Sequence, residues 1–348
     1  MPEESAPMSR RLLLVNFLHA SDAFEREVAA AHGAYVDILR SVGGRPSEVP
    51  ADLAAQAEGL ISYSAVQPVP LPPEAFPRVR CVLRSGVGHD TIDGAAWGAR
   101  GVPVFNVPDY GTSEVADHAI ALMLALTRGV VAYHDALRRD PRQHWTYTVA
   151  PDVRRLRTAT FGVIGLGRIG LAAARRAQAF GMDVVFFDPY QPSGFEIATG
   201  FRRVRSLHAL LQQCDVVSVH APLSAETQGM LGAEAFAAAK RGLVVVNTAR
   251  GPIVDLDALH EALKSGQVAA AALDVLPREP ADPQHPLIRA FVEREPWLEG
   301  RFTLSPHAAF HSPAANDDLR RKTIETVLDH LETGSLQNCV NRHQLVPR

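Results

Sequence analysis

Thr160-Phe161-Gly162-Val163-Ile164-Gly165-Leu166-Gly167-Arg168-Ile169-Gly170 is the stretch whose reading decides the fold. Thr160–Ile164 has the apolar character of a buried strand, and the residues after it place glycine at 165, 167 and 170. A helical stretch, Leu171–Phe180, follows. A glycine signature alone is weak evidence, because glycines punctuate many turns. Between a strand and a helix it gains meaning: the turn is tight, a pyrophosphate can approach the backbone, and helix and strand can pack closely. The helix N-terminus then faces the phosphates. Gly165, Leu166, Gly167, Arg168, Ile169 and Gly170 are therefore the expected phosphate cradle of a dinucleotide.

Working outward, the strand Asp183–Phe187 runs into Asp188, eighteen residues after Gly170. A carboxylate there can bind both ribose hydroxyls of the adenosine and would repel a 2′-phosphate, and Pro189-Tyr190 supplies no adjacent arginine. NAD is expected over NADP. Further strands are expected at Asp215–His220, Leu243–Val246, Val268–Leu273 and Phe302–Leu304. His220-Ala221-Pro222 leaves the sheet at its ligand-binding edge, although taken alone His220 is more often a satisfied strand-end histidine. Asp274, ending the strand Ala269–Leu273, is placed to hydrogen-bond a nicotinamide amide and could equally cap a helix.

Upstream, strands are expected at Arg11–Leu18, with Ser21 able to cap the helix after it, and at Gly59–Tyr63, Val79–Arg84 and 101–105. Gln67–Pro73 reads as a surface connection. Ser113–Arg139 has apolar residues at helical spacing, long enough for one helix that leaves one domain and enters another. The amphipathic segment Ser312–Leu331 could return to the first domain. The expected fold class is α/β, with two Rossmann-like, doubly wound parallel-sheet domains and an active-site cleft between them. Residues 1–112 plus 311–348 form the substrate domain, and 113–310 the NAD-binding domain.

Three residues carry the chemistry. Arg250, in Asn247-Thr248-Ala249-Arg250-Gly251, can fork a carboxylate; Glu279 and His307 can form a carboxylate-held histidine that passes protons near neutral pH. Beside a dinucleotide, these groups suggest hydride transfer to or from a small acid.

The 348 residues suffice for two cores, and the 47% hydrophobic and 21% charged shares are those of an ordinary globular protein. A net charge of −3 gives no footprint for nucleic acid or an anionic membrane. Arg clusters such as Arg202-Arg203 read as a solvated face. Cys81, Cys214 and Cys339 are too scattered for a disulfide framework or a metal site, and Cys81 and Cys214 lie in apolar runs. Ser9-Arg10-Arg11 before Leu12-Leu13-Leu14-Val15 faintly resembles a twin-arginine signal, but the run is short and reads as the first strand. A cytoplasmic location and no metal are expected.

With these residues in view, the chain is similar to the D-isomer-specific 2-hydroxyacid dehydrogenase family from about Gly59 onward. The likeness rests on Arg84-Ser85-Gly86-Val87-Gly88-His89-Asp90-Thr91-Ile92-Asp93, the glycine turn, Asp188, His220-Ala221-Pro222, Asn247–Gly251, Ala272-Leu273-Asp274-Val275, Glu279-Pro280 and Pro306-His307-Ala308-Ala309. Within the family it most resembles the C-terminal-binding-protein branch, through Arg84, Asp188-Pro189-Tyr190, Asn247–Gly251 and Asn338-Cys339-Val340-Asn341.

The resemblance implies that Arg250 binds the substrate's carboxylate and carbonyl oxygen, that His307 is the acid–base group and that Glu279 hydrogen-bonds it. Gly86, Val87 and Gly88 would cradle the carboxylate, with Arg84 adding charge. Tyr63 and Phe310 would line the substrate pocket, and Ala221, Pro222, Thr227, Thr248 and Ala249 would join the cofactor set. Two positions depart from that branch: Phe310 stands where it has tryptophan, and Ser64 where it has histidine. Residues 281–302 look longer than usual and suggest an extra short helix or a solvated insertion.

The implied activity is an NAD-dependent dehydrogenase of a D-2-hydroxy acid, or a reductase of the 2-oxo acid, in a homodimer built through the cofactor domain. An NAD(H)-responsive co-repressor-like scaffold is the alternative, because that branch keeps the same three residues. Phosphite oxidation is disfavoured, since the lysine it requires would fall near Val87.

Overall fold

The computed structural model describes residues 10–41, 48–63, 68–150 and 153–347. The chain divides into two compact units, Met1–Gly111 with Ser312–Arg348, and Thr112–His311.

The first unit holds a five-stranded sheet of β1 (Arg10–Phe17), β2 (Ala34–Arg40), β3 (Gly59–Ser62), β4 (Cys81–Arg84) and β5 (Val104–Asn106), in the order β2-β1-β3-β4-β5. Every pairing is parallel. Because helices cover both faces of such a sheet, the central strands are apolar throughout; Leu12, Leu13, Leu14 and Val15 are all buried. The helix Pro313–Thr333 returns from the chain's end to this unit, its N-terminus capped by Ser312 Oγ, which accepts from Ala315 N at 2.9 Å. It buries Leu319, Ile324, Val327, Leu328 and Leu331. Fully buried Glu25 receives two hydrogen bonds from Arg320 of this helix, both at 2.6 Å.

The second unit holds a seven-stranded sheet of β6 (Thr160–Ile164), β7 (Asp183–Phe187), β8 (Arg202–Arg203), β9 (Val216–Val219), β10 (Leu243–Asn247), β11 (Val268–Leu273) and β12 (Phe302–Leu304). Its order is β12-β11-β10-β9-β6-β7-β8, so the winding reverses between β6 and β9. The glycine turn leaves β6 at this switch point, where doubly wound sheets bind ligands. Separate apolar clusters lie on the two faces, one containing Val217, Val245 and Leu273, the other Phe161, Val244 and Ala272.

The structure departs from the sequence-based expectations at several places. Ser113–Arg139 is not one helix: it breaks at left-handed Gly129 into Thr112–Thr127 and Val130–Arg139, bent by 56°. The helix Ala23–Ala31 begins after Asp22, and Ser21 Oγ only reaches Ala23 N, at 3.3 Å. Strands β2 and β8 were not expected. Both are edge strands, and β2 buries only Val36 while β8 has two residues, so neither shows a long apolar run. Arg203 is not a solvated charge: its guanidinium donates to Gln191 O at 2.9 Å and Pro192 O at 2.7 Å, pairs with Glu196 and lies over the Phe186 ring. Of the proline-rich connection, Gln67 lies outside the described residues, and Val69 is buried in the first unit's core. Residues 281–302 do contain a short helix, Pro286–Val292, but it is not a solvated insertion. Leu287, Ile288, Ala290 and Leu298 are buried, and Arg301 ties the segment to the carbonyls of Leu263, Val268 and Ala269.

Candidate active site

Gly165, at φ +85°, ends β6 so close to the chain leaving β9 that a Cβ there would stand 2.8 Å from Ala221 N. That contact brings the glycine turn against His220-Ala221-Pro222. Above Gly167 the space is open, with no atom within 4 Å of where its Cβ would be. The helix Arg168–Ala179 starts there, with Arg168 exposed. Asp188 is half-buried at the end of β7; its carboxylate accepts from Leu166 N at 2.8 Å and from Tyr190 N at 2.9 Å. Since a carboxylate has room for about four hydrogen bonds, capacity for ribose hydroxyls remains. The Tyr190 phenol bonds Glu226 across the same end of the sheet.

His220 Nε2 is 2.8 Å from Ser218 Oγ, while its buried Nδ1 has no hydrogen-bond partner. Burial pushes this imidazole down to about 4, so it is neutral at physiological pH. The Thr248 hydroxyl is also buried without a partner. Orphaned polar atoms of this kind are expected where a polar ligand completes a site. Together with the open cradle at Gly167 and the Asp188 carboxylate, they fit NAD. Thr227 does not add a free hydroxyl: its Oγ1 donates to Pro222 O at 2.7 Å and accepts from Ser224 N at 2.8 Å, closing the 222–227 loop.

The chemistry-bearing trio lies in the second unit, on loops that leave β10, β11 and β12. Arg250 is half-buried, and its Nη1 donates to Ala249 O at 2.8 Å. The next residue, Gly251, abuts the loop after β11, where a Cβ would fall 1.9 Å from the Leu276 carbonyl carbon. This packing sets Arg250 beside the segment that carries Glu279. Glu279 uses Oε1 to accept from Leu276 N at 3.0 Å and presents Oε2 to His307 Nδ1 at 2.7 Å. The phenyl ring of Phe310 meets His307 edge-on, with centroids 6.4 Å apart.

Asp274 is almost fully buried, and its carboxylate is largely occupied within the protein. Oδ1 accepts from Ser305 Oγ at 2.6 Å and Ala308 N at 2.9 Å, and Oδ2 from Ala309 N at 2.9 Å. Asp274 is thus a clamp on the His307 loop, with acceptor capacity left on Oδ2 for an amide. It is not a helix cap. Ser305 and His118 complete this arrangement and were not among the expected site residues. The only sequence signal for Ser305 is its place two residues before His307.

In the first unit, the Gly86-Val87-Gly88 loop follows β4. Among the described residues, its three amides donate to no backbone carbonyl. Asn106 Nδ2 bonds Val87 O at 2.6 Å, and Val107 N bonds Gly86 O at 3.0 Å, so β5 fixes the loop's shape. Arg84 is buried against Gly86, with Nη1 donating to Ser85 O at 2.5 Å. Tyr63 is also buried, edge-on to Phe17 and His19, and its hydroxyl has no partner. Ser64 lies outside the described residues.

A doubly wound sheet with this cradle at its switch point, and an Arg, a Glu-held His and a neutral His on neighbouring loops, defines an NAD-linked oxidoreductase. The model of the family described as D-isomer specific 2-hydroxyacid dehydrogenase, NAD binding domain, matches residues 120–309, and the chain belongs to that family. A glyoxylate reductase of Korarchaeum cryptofilum is 38% identical over 261 residues, 74% of each chain. A D-3-phosphoglycerate dehydrogenase of Archaeoglobus fulgidus is 37% identical over 79% of this chain and 49% of its own length. Among solved structures, an NADPH-dependent glyoxylate/hydroxypyruvate reductase from Sinorhizobium meliloti, in complex with NADP and malonate, covers 97% of this chain and 99% of its own, with TM-score 0.81 and 28% identity. A D-lactate dehydrogenase from Aquifex aeolicus, complexed with NAD and lactic acid, covers 97% and 100%, with TM-score 0.79 and 26% identity. The expected likeness to the C-terminal-binding-protein branch is not what these relatives show; they are named as reductases and dehydrogenases.

Proposed function

We propose that the protein is an NADH-dependent reductase of a small 2-oxo acid of the size of glyoxylate or hydroxypyruvate, yielding the 2-hydroxy acid, in the D form where C2 becomes chiral. The observation that carries this reading is the 2.7 Å bond from His307 Nδ1 to Glu279 Oε2. Because Nδ1–H donates to the carboxylate, Nε2 is left as the atom that gives and takes a proton. In the reducing direction His307 protonates the substrate's carbonyl oxygen, and NADH, when bound, supplies the hydride. Arg250 binds the carboxylate and polarises the carbonyl. The free amides of the 86–88 loop support its role as a carboxylate cradle, with Arg84 adding charge. A small substrate is suggested by the glyoxylate reductase and the glyoxylate/hydroxypyruvate reductase among the relatives.

The names of the relatives, all reductases and dehydrogenases, support turnover over a co-repressor-like scaffold. We further infer a homodimer in a reducing cytoplasm. Its interface would use Val130, Val131, Trp145 and Tyr147, which are 60%, 41%, 80% and 85% exposed in the cofactor-binding unit; the three free thiols fit that compartment. Sedimentation of the wild type and of Trp145→Glu tests the dimer: a monomeric wild type would end that reading. The activity is tested by NADH consumption with glyoxylate, hydroxypyruvate, pyruvate, phenylpyruvate and phosphohydroxypyruvate. Turnover of the first two above the rest is expected. Tight NADH binding with no turnover of any would overturn the reductase reading.

A further inference from the structure

We propose that His118 is a positioning residue for the reaction, acting on His307 through Ser305 and Asp274; this rests on the reading of His307 as the acid–base group. His307 sits at φ +53°, a left-handed conformation that costs a side-chain-bearing residue about 1 kcal/mol or more. The loop therefore has to be held from outside. His307 N donates to Asp274 O at 2.8 Å, and the next two amides donate to the Asp274 carboxylate. What fixes that carboxylate in turn is Ser305 Oγ, at 2.6 Å from Oδ1.

A serine hydroxyl has one hydrogen, and here it is given to Asp274. At 2.8 Å from His118 Nε2, the same oxygen must therefore accept, so His118 carries a proton on Nε2. The donors converge on Asp274: His118 Nε2–H gives to Ser305 Oγ, Ser305 Oγ–H gives to the carboxylate, and the amides of Ala308 and Ala309 give to the same carboxylate while His307 N gives to the Asp274 carbonyl. The His118 ring also stands 3.7 Å from Asp274 Oδ1. Its origin matters, because His118 belongs to the helix Thr112–Thr127, whose Val115, Ala119 and Leu122 are buried. The imidazole is placed by the helix and not by the loop it steadies. Removing it leaves Ser305 without its donor and Asp274 with fewer restraints. The consequence falls on the aim of His307, where displacements near 1 Å change rates by up to about 100-fold.

The test compares His118→Ala, Ser305→Ala, the double variant, His118→Gln and Ser305→Thr by steady-state NADH oxidation, with NADH affinity from fluorescence and thermal unfolding in parallel. Each alanine variant should lose roughly tenfold in kcat, with KM for the 2-oxo acid and NADH affinity held within about twofold. The double variant should be no slower than the worse single one, and Ser305→Thr should recover wild-type kcat within about twofold. Unchanged kcat in the alanine variants, losses that multiply in the double variant, or a loss of kcat that tracks thermal stability across the set would overturn the proposal. His307→Gln is measured alongside. If it turns over like the wild type, the acid–base reading fails; if it is dead while His118→Ala keeps full kcat, only the role of His118 fails.

Discussion

Glu279 Oε2 and His307 Nδ1 meet at 2.7 Å, while the other oxygen of Glu279 is held by Leu276 N at 3.0 Å. The two bonds fix the glutamate in one orientation, so it can present only one oxygen to the imidazole. This sets the tautomer of His307 and leaves Nε2 on the edge of the ring that Glu279 does not bond.

Replacing that carboxylate by an amide keeps the shape and removes the charge. Glu279→Gln should lower kcat roughly 10- to 100-fold and leave NADH affinity within about twofold. Steady-state kinetics with a titration of NADH fluorescence checks it; an unchanged kcat would show that Glu279 does not govern His307.

Asp188 accepts from Leu166 N and Tyr190 N, and its remaining acceptor capacity is the proposed site for the ribose hydroxyls. Asp188→Ala should weaken NADH binding about tenfold and narrow the preference for NADH over NADPH. Titrating both cofactors is the measurement; an unaltered preference contradicts the assignment.

His220 makes stability depend on pH. Its folded value is depressed from 6.5 to about 4, so as pH falls the unfolded chain binds the proton first. The neutral form costs nothing above pH 6.5. Stability is lost as pH falls from there towards 4, by roughly 2 kcal/mol between pH 7 and 5. Urea unfolding at the two pH values should show this loss reduced in His220→Gln; equal losses would mean the group is not titrating as described.

Glu25 is fully buried, and Arg320 of the returning helix is its partner. Glu25→Ala strands a guanidinium that keeps some access to solvent, so the expected cost is about 2 to 4 kcal/mol, below the full penalty for a buried pair. Chemical denaturation of the two proteins measures it, and a loss under about 0.5 kcal/mol would show the pair to be dispensable.

The parts of the second unit that were legible in sequence are those whose residues bury both faces or carry a glycine signature. Strands β7, β11 and β12 begin and end where the apolar runs do, and the turn at Gly165–Gly170 opens a helix as its spacing requires. Edge strand β2 was not legible, because an edge needs little apolar surface; nor was the break at Gly129, because glycine is tolerated inside many helices. At the site, residue types announced Arg250, Glu279 and His307. The clamp by Asp274, Ser305 and His118 was not announced, because it depends on hydrogen bonds among segments far apart in the chain.

His307 has the proposed role of proton donor and acceptor in a 2-oxo acid reductase. Its most direct test is the rate of NADH oxidation by wild type and His307→Gln with saturating glyoxylate, with NADH affinity measured on the same samples. A loss of turnover of about a thousandfold or more is expected, with NADH affinity nearly unchanged. Turnover within about tenfold of wild type, or a loss explained by weakened NADH binding, would contradict it.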